Sequence, residues 1–344
     1  MKRLSFAFAG LPTRVIFGAG KLGEIATEAG ALGLKRPLVI TGRQQSVIGR
    51  EVAQKLGAVA FDGAVMHTPA GITEAAMAIV KTRQIDGTIA IGGGSAIGLA
   101  KAIAWRTDLA QIAVPTTYAG SEMTNILGET ADGAKVTRRD AKIQPETVIY
   151  DPELTVSLPQ ALAATSTMNA IAHAVEALYA KDGNPVISLM AEEGIRALSS
   201  ALPIFDREEA LYGAWLCGSV LGVASMALHH KLCHVLGGSF NLPHSETHAV
   251  ILPHATAYNA PAAPDAMLRI ATALNSKSAA QGLYDLAKSS GAPTSLRELG
   301  LDETDLGRAA ELAAANPYWN PRLITQDGLR ELLDDAFHGR RPHV

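Results

Sequence analysis

Six of the ten histidines lie between His229 and His254, in the run HHKLCHVLGGSFNLPHSETHAVILPH. Upstream, the stretch STMNAIAHAVEALYA places Asn169 and His173 four residues apart, on one face of a helix. His230 and His234 repeat that spacing, and His244 follows Pro243 in what reads as a loop. Histidine is the commonest metal ligand and moves protons near neutral pH. A divalent-metal site built from Asn169, His173, His230 and His244 would be neutral, without a carboxylate to offset the ion. The same groups can instead polarise an anionic substrate with no metal. His229, His248 and His254 read as packing, capping or surface residues, and Met168, Leu228 and Leu232 as core or pocket wall.

A second chemistry is carried by glycine. Gly92, Gly93, Gly94 and Ser95 follow the strand-like GTIAI and open a helical stretch in which Lys101 lies two turns along. Glycines there let backbone approach a phosphate, and a helix N-terminus supplies N–H groups and positive dipole. A tight turn needing only glycine's freedom is the plainer alternative. Phe17-Gly18-Ala19-Gly20 is a weaker second turn of this kind. In PTTYAGSE, the hydroxyls of Thr116, Thr117 and Ser121 either bond phosphate, ribose or carboxamide, or Ser121 caps a helix with Glu122 in its first turn. The second strand ends at Gly42 and Arg43, where NAD-selective sites carry an acidic residue; Arg43 either faces a 2′-phosphate or is a solvated surface residue, the commoner fate of a single Arg.

These groups need elements to hold them. RVIFG, PLVITG, AVAFDG, GTIAIGGG, QIAVPTT and ETVIYDP read as strands, separated by helix-period segments, which predicts a mostly parallel sheet. After Asp151-Pro152 strand signals vanish, so residues 1–155 are expected to form an α/β nucleotide-binding domain and 156–344 an all-helical catalytic domain. Near-neutral charge (net −3) and the absence of an apolar run long enough to span a bilayer point away from nucleic-acid and membrane partners. Met1 to Gly20 reads as an opening strand or arm. Two cysteines imply no disulfide framework, and a cytoplasmic location is expected. The C-terminal RRPHV reads as a loose end.

Taken together, the chain resembles the iron-containing (group III) alcohol dehydrogenases along essentially its whole length. The family pattern GGGSxxDxAK appears as GGGSAIGLAK over 92–101, the PTT…GSE loop over 115–122, and the DPxLTxxLP connector as DPELTVSLP over 151–159. The resemblance implies a Rossmann-like N-terminal domain with an all-α C-terminal domain, the architecture shared with dehydroquinate synthase. The family's metal-ligand positions fall on Asn169, His173, His230 and His244, with His234 beside the nicotinamide. Two residues depart from the pattern: Asn169 and Gly98 each stand where the family carries Asp. Both departures, with HHKLCHVLGG and PHSETHAV, resemble the maleylacetate reductase branch, whose members reduce a carbon–carbon double bond to give 3-oxoadipate in aromatic-compound degradation.

This implies NADH or NADPH as cofactor, no requirement for metal, a small dicarboxylate substrate and a homodimer. Gly42, Arg43, Gly92, Gly93, Gly94, Ser95, Thr116, Thr117, Ser121 and Lys142 would bind the cofactor. Lys231, Tyr318 and Arg322 would bind substrate, Arg322 from a loop, NPYWNPR, that closes over it. The chemistry agrees: conjugate reduction needs donors to a developing enolate and a proton source, which imidazoles supply. The alternatives are a metal-dependent alcohol dehydrogenase that tolerates Asn169 and a lyase resembling dehydroquinate synthase, which would need an acidic, lysine-rich pocket. A non-catalytic nucleotide sensor would have no use for clustered histidines.

Overall fold

The β-branched runs of the first half are buried on both faces. Leu38, Val39, Ile40, Ile89, Ile91, Ile112, Val114, Val148 and Ile149 are all shielded from solvent, as expected for strands covered by helices on either side. The computed structural model describes residues 5–131, 134–315 and 318–343. In chain order the α/β elements are β1 (Arg14–Phe17), α1 (Ile25–Ala31), β2 (Pro37–Thr41), α2 (Ser46–Leu56), β3 (Val59–Phe61), α3 (Ala70–Arg83), β4 (Gly87–Gly92), α4 (Gly94–Thr107), β5 (Ala110–Pro115), β6 (Ile126–Ala131), β7 (Ala134–Arg139) and β8 (Thr147–Tyr150). Six strands form a parallel sheet in the order β1-β8-β5-β4-β2-β3. β6 and β7 pair antiparallel as a separate ribbon that the strand pattern did not reveal.

Strand order reverses direction between β2 and β4, whose register sets Thr41 beside Ile91. Such a reversal opens a crevice at the carboxyl ends of the two strands, where α/β sheets bind ligands. Gly42 and Gly92 leave their strands there, side by side.

The helical half comprises α5 (Gln160–Leu178), α6 (Pro185–Ala201), α7 (Arg207–Val223), α8 (Leu228–Phe240), α9 (His244–Asn259), α10 (Pro264–Ala273), α11 (Ala279–Ser289), α12 (Leu306–Ala314) and α13 (Gln326–His338). Side chains cap several of these helices: Asn184 on α6, Asp206 on α7, Ser278 on α11 and Thr325 on α13. α5 is buried along every face from Ala163 to Ala177 and is the central helix of its unit. Leu228, Leu232, Leu236, Val250, Ile251, Leu329, Leu333 and Phe337 join α8, α9 and α13 into one core. The chain divides into two compact units, Gly10–Leu158 and Pro159–Val344, the latter including the N-terminal Met1–Ala9. No single described helix is long and apolar enough to cross a membrane.

Candidate active site

In the α/β unit the glycine turn has the form a diphosphate requires. Gly93 is the N-cap of α4, no side chain caps that end, and a Cβ on Gly94 would meet nothing within 4 Å. The Ala96 and Ile97 N–H groups donate to the Gly93 carbonyl at 3.1 and 3.3 Å, and the space beside Gly94 is open at the positive end of the α4 dipole. Gly92 has φ +150, which a side chain would strain, and its carbonyl accepts the Thr116 N–H at 3.1 Å. A Cβ on Gly93 would meet Thr117 at 3.0 Å, so the loop after β5 packs on the turn after β4. The structure therefore gathers Gly42, Gly92, Gly93, Gly94, Ser95, Thr116 and Thr117, with Arg43 exposed at the end of β2.

Other residues of this unit are engaged away from the glycine turn. Ser121 does not cap a helix with its side chain; Gly120 occupies the cap position of a single 3-10 turn, Ser121–Met123, and the Ser121 carbonyl instead accepts from Lys101. Lys101 is fully buried, and its ammonium also bonds the Thr124 carbonyl at 2.6 Å, the Thr124 hydroxyl at 2.9 Å and the Ile126 carbonyl at 3.1 Å. It staples the loop to β6 and does not reach for phosphate, and burial lowers its pKa to about 7. Lys142 is exposed; its carbonyl bonds Gln111 near the start of β5, and neighbouring Ile143 packs on Ala102 and Trp105 of α4, away from the glycine turn. The turn at Gly18–Gly20 already holds an anion of its own, the buried Asp151 carboxylate, which accepts the Gly20 and Leu22 N–H groups at 3.1 and 2.9 Å.

Gly98 has a steric explanation. A Cβ there would stand 2.6 Å from the hydroxyl of Thr68, a buried residue with φ +44 whose carbonyl accepts from Thr130. The space of the family's aspartate is filled by Thr68.

In the helical unit α5 presents Asn169 and His173, both buried, with the Asn169 Oδ1 and His173 Nδ1 lacking any protein partner. α8 contributes His230, buried, and His234, exposed. His244 is not in a loop: Pro243, with its fixed φ, is the N-cap and His244 opens α9. Imidazoles run in a row, His173 to His230 at 5.1 Å between ring centres, His230 to His248 at 5.1 Å, and His248 to His244 at 4.4 Å. His234 stands 6.4 Å from His230. His248 is therefore an interior member of the row, and it hydrogen-bonds His229 at 2.9 Å; its reading as an indifferent residue is corrected. Burial lowers the pKa of His173, His229 and His248 well below the usual histidine range, and the neighbouring imidazoles add to this.

The residue that the sequence reading missed is Glu176. Its side chain is fully buried, its Oε1 accepts the His229 N–H at 2.7 Å, and its Oε2 accepts the Ala227 N–H at 2.9 Å. Ala227 is the N-cap of α8 and brings no capping side chain, so a carboxylate from α5 satisfies that helix end. The same Oε2 lies 2.7 Å from His230 Nδ1. A carboxylate there makes Nδ1 the proton-bearing nitrogen and leaves His230 Nε2, buried and unpartnered, as the position available for chemistry. The signal was present: Glu176 is three residues after His173 and seven after Asn169, the only charged residue of α5.

Among the substrate-binding candidates, Lys231 places its ammonium 5.6 Å from the centre of the Tyr318 ring, and the Tyr318 hydroxyl is buried without a protein partner. Arg322 is committed elsewhere: it donates to the Tyr258 carbonyl at 2.9 Å and lies 4.3 Å from that ring, pinning its own segment. Of the expected closing loop, Asn316 and Pro317 lie outside the described residues.

The family's iron was tested against these donors. Asn169 Oδ1 and His230 Nε2 are orphaned, but the set Asn169, His173, His230 and His244 brings no negative charge, and hard divalent ions favour anionic oxygen. Among the described residues, the His, Cys, Asp and Glu groups whose ligand atoms converge within 4.8 Å are His229 with Cys233 and His248, and Glu303 with Asp334 and His338. The three imidazoles could still hold a divalent ion, but with one negative charge fewer than the family's aspartate-containing set.

Two family models match the chain: iron-containing alcohol dehydrogenase over residues 12–152, and the C-terminal part of the Fe-containing alcohol dehydrogenase family over 163–337. A maleylacetate reductase from Sphingobium indicum is 51% identical over 98% of this chain and 99% of its own length. Another from Pseudomonas knackmussii is 52% identical over 96% and 97%. The crystal structure of maleylacetate reductase from Agrobacterium tumefaciens superposes with a TM-score of 0.96 at 51% identity, covering 99% of this chain and all of that one. The architecture and the glycine and histidine motifs thus have one common origin, and the chain belongs to the iron-containing alcohol dehydrogenase family of oxidoreductases.

Proposed function

We propose that the chain is an NAD(P)H-dependent maleylacetate reductase that works without metal. The observation that carries this reading is a row of imidazoles backed by one buried carboxylate, Glu176, with the neutral Asn169 where the family carries an aspartate ligand. Relatives about half identical over nearly the full chain bear that name. The α/β unit holds the cofactor's diphosphate at Gly92–Ser95, and the helical unit holds the dicarboxylate. When bound, the dihydronicotinamide supplies the hydride that adds to the alkene carbon β to the ketone.

The chain's own groups manage the charge that results. Negative charge gathers on the ketone oxygen as the double bond is reduced. His173, kept neutral by burial, donates an N–H to that oxygen. His230 carries its proton on Nδ1, donated to Glu176, and presents Nε2 to the same region. His244, exposed at the start of α9, delivers the proton to the α carbon. Lys231 and Tyr318 grip a substrate carboxylate. We read the active species as a cytoplasmic homodimer, following the family resemblance.

The deciding experiment is NADH and NADPH oxidation with maleylacetate beside simple aldehydes, each with and without exhaustive chelation and elemental analysis. Turnover of maleylacetate that survives loss of all metal is expected. Turnover confined to aldehydes, or abolished by removal of a stoichiometric metal, overturns the proposal.

A further inference from the structure

We propose that His229, Cys233 and His248 form a three-donor binding site for a thiophilic divalent cation of the Zn²⁺ type, built from other residues than the neighbouring positions that the family resemblance assigns to iron. His229 and Cys233 are four apart on one face of α8, and His248 comes from α9, so rigid helices set all three donors. His229 Nε2 lies 2.9 Å from His248 Nδ1 and 3.7 Å from Cys233 Sγ, and the three ligand atoms fall within 4.8 Å of one another. A tetrahedral ion with bonds of about 2.0–2.1 Å to nitrogen and 2.3 Å to sulfur needs edges of about 3.3 Å between nitrogens and 3.6 Å between nitrogen and sulfur. The His229–Cys233 edge is already in place, the two imidazoles need to part by about 0.4 Å, and the His248–Cys233 edge lies within 4.8 Å.

The chemistry of the donors selects the ion. Two imidazoles and a thiol, with no oxygen ligand, exclude magnesium and calcium and favour zinc or cadmium. One of the two nitrogens carries the proton of their mutual hydrogen bond, and that proton moves to the other ring nitrogen, which has no protein partner in either ring, when an ion takes both lone pairs. Burial and the charge of Glu176 keep Cys233 a thiol until an ion arrives. Binding is therefore an exchange: the ion forms a bond to sulfur and the thiol proton leaves to solvent, one proton per ion. Of the ion's two positive charges the new thiolate cancels one. Glu176, bonded to the His229 N–H at 2.7 Å, supplies a second negative charge in the same surroundings. The other converging group, Glu303, Asp334 and His338, is held differently: Asp334 is already paired with Arg340 at 2.6 Å.

The test uses the purified full-length chain titrated with Co²⁺. A thiolate-to-cobalt charge-transfer band in the near ultraviolet reports only on a site containing sulfur, which the family's iron positions lack. The band is expected at one equivalent in the wild type and in Cys217→Ser, whose thiol lies in α7, and is expected to be lost in Cys233→Ser. Zn²⁺ should displace the cobalt and raise the melting temperature of the first two proteins and not of the third. Should Cys233→Ser fold poorly, proton release from the wild type at neutral pH decides, with one proton per ion expected. No band, a band that survives Cys233→Ser, or binding without proton release overturns the proposal. None of these readouts depends on reductase activity, so the site stands or falls independently of the proposed function.

Discussion

Glu176→Gln is the sharpest perturbation of the active site, because it removes a charge while keeping the shape. Glu176 accepts three hydrogens: from the His229 and Ala227 N–H groups and from His230 Nδ1. An amide has only one oxygen, so whichever way it turns, its NH₂ faces at least one backbone N–H of α8. That buried donor loses its acceptor at a cost of about 1–3 kcal/mol. The second loss is electrostatic. Glu176 is fully buried and His230 nearly so. The charge-assisted hydrogen bond from the His230 Nδ1–H is worth about 1.5–3 kcal/mol and fixes the tautomer that leaves Nε2 to the substrate. If the transition state depends on that imidazole, kcat should fall about 10²–10³-fold. The NADH dissociation constant should hold, since Glu176 lies in the helical unit and the glycine turn does not. Stopped-flow turnover with maleylacetate, NADH binding by fluorescence, and ¹⁵N NMR of the His230 tautomer form the assay. A variant with near-normal kcat and a destabilised fold would reduce Glu176 to a helix cap. Parallel loss of NADH binding would show that the site lies elsewhere.

His244→Ala should lower kcat about 10²–10³-fold with little change in NADH affinity; His343→Ala is the control, and near-normal turnover in His244→Ala would make that residue a packing group. His248→Ala, within the imidazole row and bonded to His229, should lose both stability and turnover, measured by thermal melting and initial rates. Gly42→Asp is sterically tolerable, with φ −83 and its Cβ 3.4 Å from the Ala64 carbonyl, and should lower NADPH efficiency far more than NADH efficiency; equal losses would show that this turn does not meet the adenosine ribose. Burial lowers the pKa of His254 from its ordinary 6.5 to about 4. The unfolded chain therefore binds a proton that the folded chain refuses between those values, and stability drops as pH falls below 6.5. This amounts to about 3 kcal/mol from this residue by pH 4; denaturant melts of His254→Gln should show a shallower acid slope.

The sequence reading found six strands, the glycine turn and the histidine helices because each has a periodicity or a breaker that local physics enforces. It missed the β6–β7 ribbon, where charged residues such as Glu129, Lys135 and Arg138 blur the alternation, although Asp132-Gly133 is a hairpin dipeptide. Ser121 read equally as a ligand-binding group or a helix cap because a hydroxyl serves loops and phosphates equally well, and Lys101 carried no assignment. Only the loop's path shows that Lys101 is spent on carbonyls. Pro243 was read as a loop residue when its fixed φ begins α9. Glu176 was overlooked because its partners, Ala227 and His230, come from more than fifty residues away.

The fit of Thr68 over Gly98 bears on how this lineage can change. Restoring an acidic side chain at position 98 would drive it into a hydroxyl 2.6 Å from where its first carbon must sit. Shrinking Thr68 first leaves a void beside a residue whose backbone is already in the left-handed region. The two positions are therefore coupled: the room for a side chain at position 98 depends on how the Thr68 hydroxyl turns, and replacements at the two are expected to be non-additive.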